Sequence, residues 1–223
     1  MFVSPSPLRT ALAALSLPML VAGVLVVSPA LRAATGPITF TDSTIGALPE
    51  GFFTAPVRQA NAGSWQVQGS GTKRHLAHLA DPSVTMRGMS VAIVSAAAPN
   101  DVRVTTKLRV VDADRAAGLV WRFRDQNTFY FAAIVGLDQT LGLFRVTGGN
   151  RIQLDRAERV GIDWEAWHTM TVTHQGDQIR VTLDGIAVLQ ARDTTLPDGR
   201  AGVWSAGNST SWFDDVSVDS LSD

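Results

Sequence analysis

The chain has 223 residues, a net charge of −1 and no cysteine. The absence of cysteine excludes a disulfide framework, thiolate metal sites and a cysteine nucleophile. Lys73 and Lys107 are the only lysines, and the arginines are scattered along the chain. The basic cluster that a nucleic-acid-binding protein needs is therefore missing, and we expect no nucleic-acid partner.

The N-terminal region has the pattern of a secretory signal peptide. Arg9 supplies a positive charge, residues 11–27 are apolar, and small residues follow directly. We expect cleavage after about residue 30–34, so that residues 1–34 are the signal peptide and residues 35–223 form one domain of a secreted or periplasmic protein. An uncleaved anchor is the alternative, although an apolar run of about 17 residues is at the short limit for a membrane span. No later segment has enough apolar residues in succession to span a bilayer.

The rest of the chain predicts short strands separated by turn signals about every eight to twelve residues, the spacing of an all-β sandwich. The predicted strands outside the centre of the chain are 38–40, 64–68, 76–79, 91–94, 101–111, 167–174, 178–184, 186–190, 201–205 and 211–218. A hairpin turn is expected at Asp184-Gly185. Helical periodicity is nearly absent, and residues 155–165 are the one place where we expect a short helical turn.

The centre of the chain, AGLVWRFRDQNTFYFAAIVGLDQTLGLFRV over residues 117–146, predicts three antiparallel strands joined by two turns. A turn at residues 125–127 and another at 136–139 define the cross-strand pairs. The expected pairs are Phe123 with Phe129, Arg122 with Tyr130, Trp121 with Phe131, Phe144 with Phe131, and Arg145 with Tyr130.

This register divides the side chains between two faces, because successive residues of a strand point to opposite sides. The expected core face contains Leu119, Trp121, Phe123, Phe129, Phe131, Phe144 and Val146. The other face is expected to carry Arg122, Tyr130 and Arg145 as outward-pointing neighbours. A slip by one residue would exchange the faces and bury three arginines, which is costly.

A family resemblance rests on the ordered series AGLVWRFRDQNTFYF, LGLFRVTGG, WHTMTVTHQGDQIRVTLDG, LPDGRAGVW and SWFDDVSV. This series resembles the concanavalin A-like lectin/glucanase superfamily, and within it the laminin-G-like branch that includes the bacterial 3-keto-disaccharide hydrolase domain family. The resemblance covers residues 40–218. It implies an all-β jelly-roll sandwich of two antiparallel sheets, one of them concave, with sugars bound at the concave face or at the loops on its rim.

The same resemblance leaves several functions open, because a fold does not determine an activity. Retaining glucanases of the superfamily carry a Glu-x-Asp-x-x-Glu strand, which none of Glu50, Glu158 and Glu165 forms here. No catalytic residue is therefore assigned. The leading hypothesis is an exported carbohydrate-binding domain, lectin-like or accessory. The alternatives are a glycoside hydrolase similar to the 3-keto-disaccharide hydrolases, which would need two converging carboxylates or a carboxylate and a metal, and a structural cell-envelope protein.

Two groups of residues are candidates for contacting a sugar. Arg122, Tyr130 and Arg145 combine forked donors with an aromatic ring, and the alternative is an ordinary solvated sheet face. Trp204 and Trp212 flank a small polar loop that contains Asn208, where an exposed indole would support a sugar ring. The alternative for both tryptophans is packing at the edge of the sandwich.

A structural calcium ion is the only cofactor hypothesis that the sequence raises. Asp42 lies near the first strand and Asp214 and Asp215 in the last, and these strands often pair in jelly rolls. Calcium takes six to eight oxygen ligands, among them carboxylates and backbone carbonyls. The alternative is that the three carboxylates are strand-end charges that protect a sheet edge. No cofactor is required for the leading hypothesis.

Overall fold

The computed structural model describes residues 1, 36–57, 63–81, 83, 88–111, 116–136, 139–163 and 166–221. Every regular element in this described part is a β-strand, which confirms the all-β prediction. The strands are β1 (Phe52–Val57), β2 (Ser64–Ser70), β3 (Lys73–Leu79), β4 (Met89–Val94), β5 (Val102–Val110), β6 (Ala116–Asp125), β7 (Thr128–Val135), β8 (Thr140–Thr147), β9 (Asn150–Ala157), β10 (His168–Gln175), β11 (Gln178–Leu183), β12 (Ile186–Arg192), β13 (Arg200–Ala206) and β14 (Ser211–Ser220).

The strands form two antiparallel sheets of seven strands each, as a sandwich requires. The first sheet has the order β1-β4-β13-β6-β7-β8-β9, and the second has the order β12-β11-β10-β5-β14-β3-β2. Non-consecutive neighbours such as β4-β13 and β5-β14 show that chain segments distant in sequence are adjacent in both sheets. Within the described ranges, no helix has the length and apolar character needed to cross a membrane.

Two local predictions need correction, and a third lies outside the described residues. Residues 38–40 form an isolated bridge between Ile38 and Val216 instead of a strand. The helical turn expected at 155–165 is absent from residues 155–163, because β9 extends to Ala157 and the segment after it is irregular. Residues 164 and 165 lie outside the described part. The expected signal peptide, 1–34, also lies almost wholly outside it.

The register of the central meander is correct on one side and wrong on the other. Tyr130 pairs with Arg145 in the β7–β8 ladder, as predicted. In the β6–β7 ladder Trp121 pairs with Tyr130, not with Phe131. The reason is a bulge between Trp121 and Asp125, where Arg122 has a φ of 47°, in the left-handed region.

The backbone of β13 closely approaches this bulge. An added Cβ on Gly199 would lie 2.4 Å from the carbonyl carbon of Arg122, and the φ of Gly199 is +146°. A side chain at this position would therefore collide with the bulged strand. The glycine of the Leu-Pro-Asp-Gly turn is what lets β13 lie against β6 here.

The bulge changes which faces the aromatic residues occupy. Trp121 and Tyr130 share the face that points to the second sheet, since the indole N–H of Trp121 donates to His174 of β10. Phe129 and Phe131 lie on the opposite face of the first sheet. The expected outward direction of Tyr130 is therefore wrong, because Tyr130 is fully buried at 0% exposure. Arg122 was also expected outside and is 4% exposed.

The buried apolar side chains form two clusters, one on each face of the first sheet. The cluster between the sheets includes Phe40, Leu76, Leu108, Trp121, Tyr130, Val172, Val181, Val203 and Phe213. The other includes Val91, Ile93, Val120, Phe123, Phe129, Phe131 and Trp204. Burial of one large apolar side chain stabilises a fold by about 1.5–3 kcal/mol, so both faces contribute to stability.

Candidate functional site

The outward face of the second sheet is polar, as the alternation of β5 predicts. Val102, Val104 and Leu108 are buried, whereas Arg103 and Lys107 between them are exposed. β10 continues the pattern, and its threonines are only partly buried. This face is therefore built for contact with water or with a polar ligand.

Three aromatic rings interrupt this polar face. Leu76 of β3 and Phe213 of β14 pair and point into the core, so alternation puts His75 and Trp212 outside. Their ring centroids are 4.6 Å apart. Trp167, just before β10, lies 6.0 Å from His75 and 6.4 Å from Trp212.

The exposure of these rings differs from that of ordinary core aromatics. Trp167 is 40% exposed, and His75 and Trp212 are half-buried. Large aromatic side chains usually supply buried area. A set of neighbouring rings open to solvent on a polar sheet is an arrangement that favours ligand binding.

These rings line a cleft of about 490 Å³, which we call the aromatic cleft. Its lining residues are Thr72, Lys73, Arg74, His75, Lys107, Trp167, Trp212 and Asp214. The volume lies within the range of about 300–1,000 Å³ that is usual for small-ligand sites. A second cleft of about 430 Å³ on the same sheet, around Arg180 and Gln190, has no aromatic ring among its described lining residues.

Several charged groups surround the rings of the aromatic cleft. The guanidinium carbon of Arg109 lies 5.1 Å from the centre of the Trp212 ring, a cation–π contact. The ammonium of Lys107 is 2.7 Å from a carboxylate oxygen of Asp215. Burial raises the pKa of Asp214 and lowers the pKa of His75. His75 is consequently neutral at neutral pH and offers an uncharged ring.

Four buried polar atoms in this region have no hydrogen-bond partner within the described part of the protein. They are Nε of Arg74, Nε2 of His75, Nε of Arg109 and Nε1 of Trp212. Buried polar groups normally have partners. These four groups are not engaged within the described part of the protein, so a ligand that reached them would not compete with internal hydrogen bonds.

The residues expected to bind a sugar from the meander lie elsewhere, in an internal network. The hydroxyl of Tyr130 donates to Oδ1 of Asp193 at 2.6 Å, and Arg145 pairs with the other oxygen, Oδ2. Arg145 also donates to Thr195 at 2.5 Å. The backbone N–H of Leu196 donates to the Tyr130 hydroxyl at 3.2 Å.

Arg122 and His174 extend the network. Arg122 donates to the backbone oxygens of Leu196 at 2.6 Å and Asn100 at 2.9 Å. The Trp121 indole N–H donates to Nδ1 of His174 at 3.0 Å, so Nε2–H donates to the backbone oxygen of Asp193 at 3.1 Å. Together with the bonds of Tyr130 and Arg145, these bonds hold residues 193–196 against the first sheet. We call the whole set the Asp193 network.

The pKa values in the Asp193 network follow from its burial and its bonds. Burial, with the hydrogen bond to Asp193, raises the pKa of Tyr130 to about 12. Burial lowers the pKa of His174 to about 4. Burial also acts to raise the pKa of Asp193, but hydrogen bonds from Tyr130 and Thr195 and the charge of Arg145 outweigh it, and this pKa is lowered. The network thus contains a neutral histidine, a neutral phenol, the Arg145–Asp193 ion pair and the guanidinium of Arg122.

The two tryptophans predicted to flank a sugar-binding loop are on different sheets. Trp204 of β13 is 3% exposed, packs edge-on against Phe131 and donates to the backbone oxygen of Ala132 at 2.8 Å. The position of Trp204 is therefore explained by packing in the protein interior, whereas Trp212 lines the aromatic cleft. Asn208 is half-buried between β13 and β14, and its side-chain oxygen has no partner in the described part of the protein.

The three carboxylates of the calcium hypothesis are also not brought together in one site. The predicted contact between the first and last segments is confirmed by the Ile38–Val216 bridge. However, Asp215 is bound by Lys107, Asp214 lines the aromatic cleft, and Asp42 is exposed. Among the described residues, no group of three or more His, Asp or Glu is arranged to hold a metal ion. Calcium stays a prediction from the sequence.

Sequence reasoning missed most of the aromatic cleft. It did not propose Trp167, His75, Lys107 or Arg109 as site residues. The alternation of β5 signals that Lys107 and Arg109 share an outward face. The contact between β3 and β14 joins segments far apart in the chain, and no local pattern indicates it.

Comparisons with known proteins define the fold. No protein-family model matches the sequence, and neither does any curated protein. Among solved structures, the carbohydrate-binding module CBM66 from Bacillus subtilis superposes with a TM-score of 0.63 at 20% identity, covering 76% of this chain and 96% of that one. A Bacillus subtilis protein of unknown function with a galectin-like fold gives 0.57 at 12% identity, covering 74% and 88%.

A glycoside hydrolase shares the same architecture. The Bacteroides ovatus mixed-linkage glucan GH16 protein, solved with a G4G4G3G product, gives a TM-score of 0.57 at 8% identity and covers 78% of this chain and 98% of that one. At such identities the likeness establishes the fold alone. The protein has the concanavalin A-like lectin/glucanase sandwich fold, as the resemblance implied. Its place in the laminin-G-like branch stays a prediction.

Proposed function

We propose that this protein binds carbohydrate and that the aromatic cleft is the binding site. The observation that carries the proposal is the grouping of Trp167, Trp212 and His75 on the solvent side of a polar sheet. The flat apolar rings can stack against the C–H face of a sugar ring. The donors of Lys73 and Arg74 and the carboxyl of Asp214 line the same cleft and can bind sugar hydroxyls.

The proteins of similar fold support the class of ligand. One of them is named a carbohydrate-binding module, and another was solved with a glucan product. The N-terminal pattern supports an exported protein, secreted or periplasmic, in which extracellular glycans would be accessible. Arg122, Tyr130 and Arg145 are not part of the proposed site, because Arg122 and Tyr130 are buried and Arg145 is paired with Asp193 inside the fold.

A glycan array with the full chain tests this proposal. We expect at least one glycan to bind the wild-type protein, and Trp212→Ala to remove that binding while the protein stays folded by circular dichroism. Arg103→Ala is the control, since Arg103 is exposed on β5 but does not line the cleft. Binding that survives in Trp212→Ala at the wild-type level would show that the sugar binds elsewhere.

A glycoside hydrolase is the alternative that the cleft supports less well. Asp214 is the only carboxylic acid among the described lining residues, whereas hydrolysis by the usual mechanisms uses two. Its raised pKa would suit a proton donor. Release of reducing sugar that Asp214→Asn abolishes would establish the hydrolase in place of simple binding.

A further inference from the structure

We infer that the saccharide bound by the aromatic cleft is acidic and carries carboxylate or sulfate groups. This inference rests on the proposed function and specifies its ligand class. It is drawn from the charges around the cleft, which differ in sign from the protein as a whole. The full chain has a net charge of −1, so a local excess of positive charge is a property of this surface.

Cationic side chains lie on both sides of the strand that carries Trp212. In the second sheet, β14 lies between β5 and β3. Lys107 and Arg109 belong to β5, and Lys73 and Arg74 belong to β3. A ligand bound beside the Trp212 ring would therefore have positive charge on either side.

Few carboxylates neutralise these cations. Asp215 pairs with Lys107, and Asp214 lies in the cleft lining. Among the described residues, neither Lys73, Arg74 nor Arg109 forms an ion pair. Four positive and two negative groups give a net formal charge of +2, which favours an anionic ligand.

Arg109 is held in a position suited to a planar anion. Its guanidinium lies over the Trp212 ring, and its Nε is buried without a hydrogen-bond partner in the described part of the protein. A guanidinium binds carboxylate or sulfate oxygens through a rigid fork of N–H donors. The same saccharide could then stack on the neighbouring Trp167 ring, which is 40% exposed.

The arrangement distinguishes acidic sugars from other anions and from neutral sugars. A neutral oligosaccharide would use the rings and leave the cations without counter-charge. An anion without sugar rings would use the cations and leave the indoles uncovered. An acidic saccharide uses both parts of the cleft.

Calorimetric titration of the full chain tests the inference with matched pairs of probes. The first pair is galacturonan oligomers and the same oligomers with their carboxyl groups reduced. The second pair is dextran sulfate and dextran. We expect one acidic member to bind at least about tenfold more tightly than its neutral counterpart at low salt. The preference should shrink at about 0.5 M salt, where charges are screened within a few Å. The pair that shows the effect identifies carboxylate or sulfate as the anionic group.

Variants that remove single charges test the contribution of the cations separately from that of the aromatic rings. Arg109→Gln and Lys73→Gln should each reduce the preference for the acidic probe several-fold. The matched control Arg103→Gln should leave it unchanged, because Arg103 lies on the same face of β5 but opposite Asp219 of β14, whereas Arg109 lies opposite Trp212. Polyglutamate, a polyanion without sugar rings, should bind at least about tenfold more weakly than the acidic saccharide.

Each contrary result has a distinct meaning. Equal binding of acidic and neutral probes, abolished by Trp212→Ala, would overturn the acidic-ligand inference and leave the proposed function standing. Binding of polyglutamate as tight as that of the saccharide would also overturn the inference. If neither neutral nor acidic probes bind, or if Trp212→Ala leaves binding unchanged, the proposed function is overturned as well.

Discussion

The Asp193 network and the aromatic cleft contain the same kinds of residues but differ in what those residues contact. Both combine arginine, aspartate, histidine and aromatic rings. In the Asp193 network, Tyr130 and Arg145 bind a carboxylate of the protein itself. In the aromatic cleft, Trp167 is 40% exposed, and Lys73, Arg74 and Arg109 form no ion pair in the described part of the protein. Availability for a ligand therefore depends on partners within the fold, which residue type alone does not indicate.

The largest expected effect of a substitution is the loss of folding stability when the Asp193 network is broken. Asp193→Ala removes the acceptor of Tyr130 and Arg145 and leaves a cation with little access to water, since the Arg145 and Asp193 side chains are 18% and 7% exposed. Breaking a buried ion pair typically costs about 3–5 kcal/mol. Urea unfolding should show this loss, while glycan binding by the folded variant stays unchanged.

The matched control is Asp198→Ala. Asp198 pairs with Arg124 at the surface, with 59% of its side chain exposed, so the loss should be at most about 1 kcal/mol. Equal losses in the two variants would contradict a structural role for the Asp193 network.

The second expected effect is a decrease in folding stability at low pH. Burial lowers the pKa of His174 from 6.5 to about 4, so the unfolded chain binds a proton in this range that the folded protein does not. Stability should therefore be complete above pH 6.5 and fall as the pH decreases towards about 4, by up to about 3 kcal/mol. His174→Gln keeps an acceptor for the Trp121 indole but removes the titrating group.

Urea unfolding at several pH values measures this effect. The free energy of unfolding is plotted against pH for the wild type and for His174→Gln. The difference between the two slopes from pH 6.5 to pH 4 gives the contribution of the histidine. Identical slopes would mean that His174 is protonated in the folded protein, contrary to the bond that it accepts from Trp121.

The third expected effect is on glycan binding at the aromatic cleft. Trp167→Ala should weaken glycan binding roughly tenfold, equivalent to about 1.4 kcal/mol, because a stacking surface is lost. Its free energy of unfolding should change little, since the indole is 40% exposed. Calorimetry and urea unfolding measure the two quantities. A large loss of stability with unchanged affinity would assign Trp167 to packing after all.

The smallest effect is expected from the ion pair beside the cleft. Asp215→Asn frees Lys107 from its counter-charge, so affinity for an acidic saccharide should rise a few-fold at low salt and less at high salt. The matched variant Asp219→Asn removes the same charge from β14 farther along the strand and should have little effect. A fall in affinity for Asp215→Asn would indicate that the carboxylate itself contacts the ligand.

The sequence could predict the parts of the fold that depend on short-range patterns. The strand predicted at 101–111 and the predicted Tyr130–Arg145 pair across the β7–β8 turn both agree with the structure. It could not predict the bulge at Arg122, because a left-handed φ of 47° at a residue other than glycine has no clear sequence signal. That bulge is the reason why Trp121 pairs with Tyr130.

The candidate site depended on long-range packing and was harder to predict. The Asp193 network requires that residues 193–196 lie against β7 and β8, which the pattern of the meander does not indicate. The aromatic cleft requires that β3 and β14 be neighbours. Trp212, a sugar-binding candidate from the sequence, lines the aromatic cleft, but its expected companion Trp204 is buried on the other sheet.

Nuclear magnetic resonance of the indole N–H groups tests the central claim most directly. The chain has six tryptophans, and single Trp→Phe variants assign their signals. On titration with galacturonan oligomers or dextran sulfate, whichever binds, the signals of Trp167 and Trp212 should shift, while that of Trp121, bonded to His174 in the core, stays in place. A shift of the Trp121 signal with Trp167 and Trp212 unmoved would contradict the account and place the ligand at the Asp193 network.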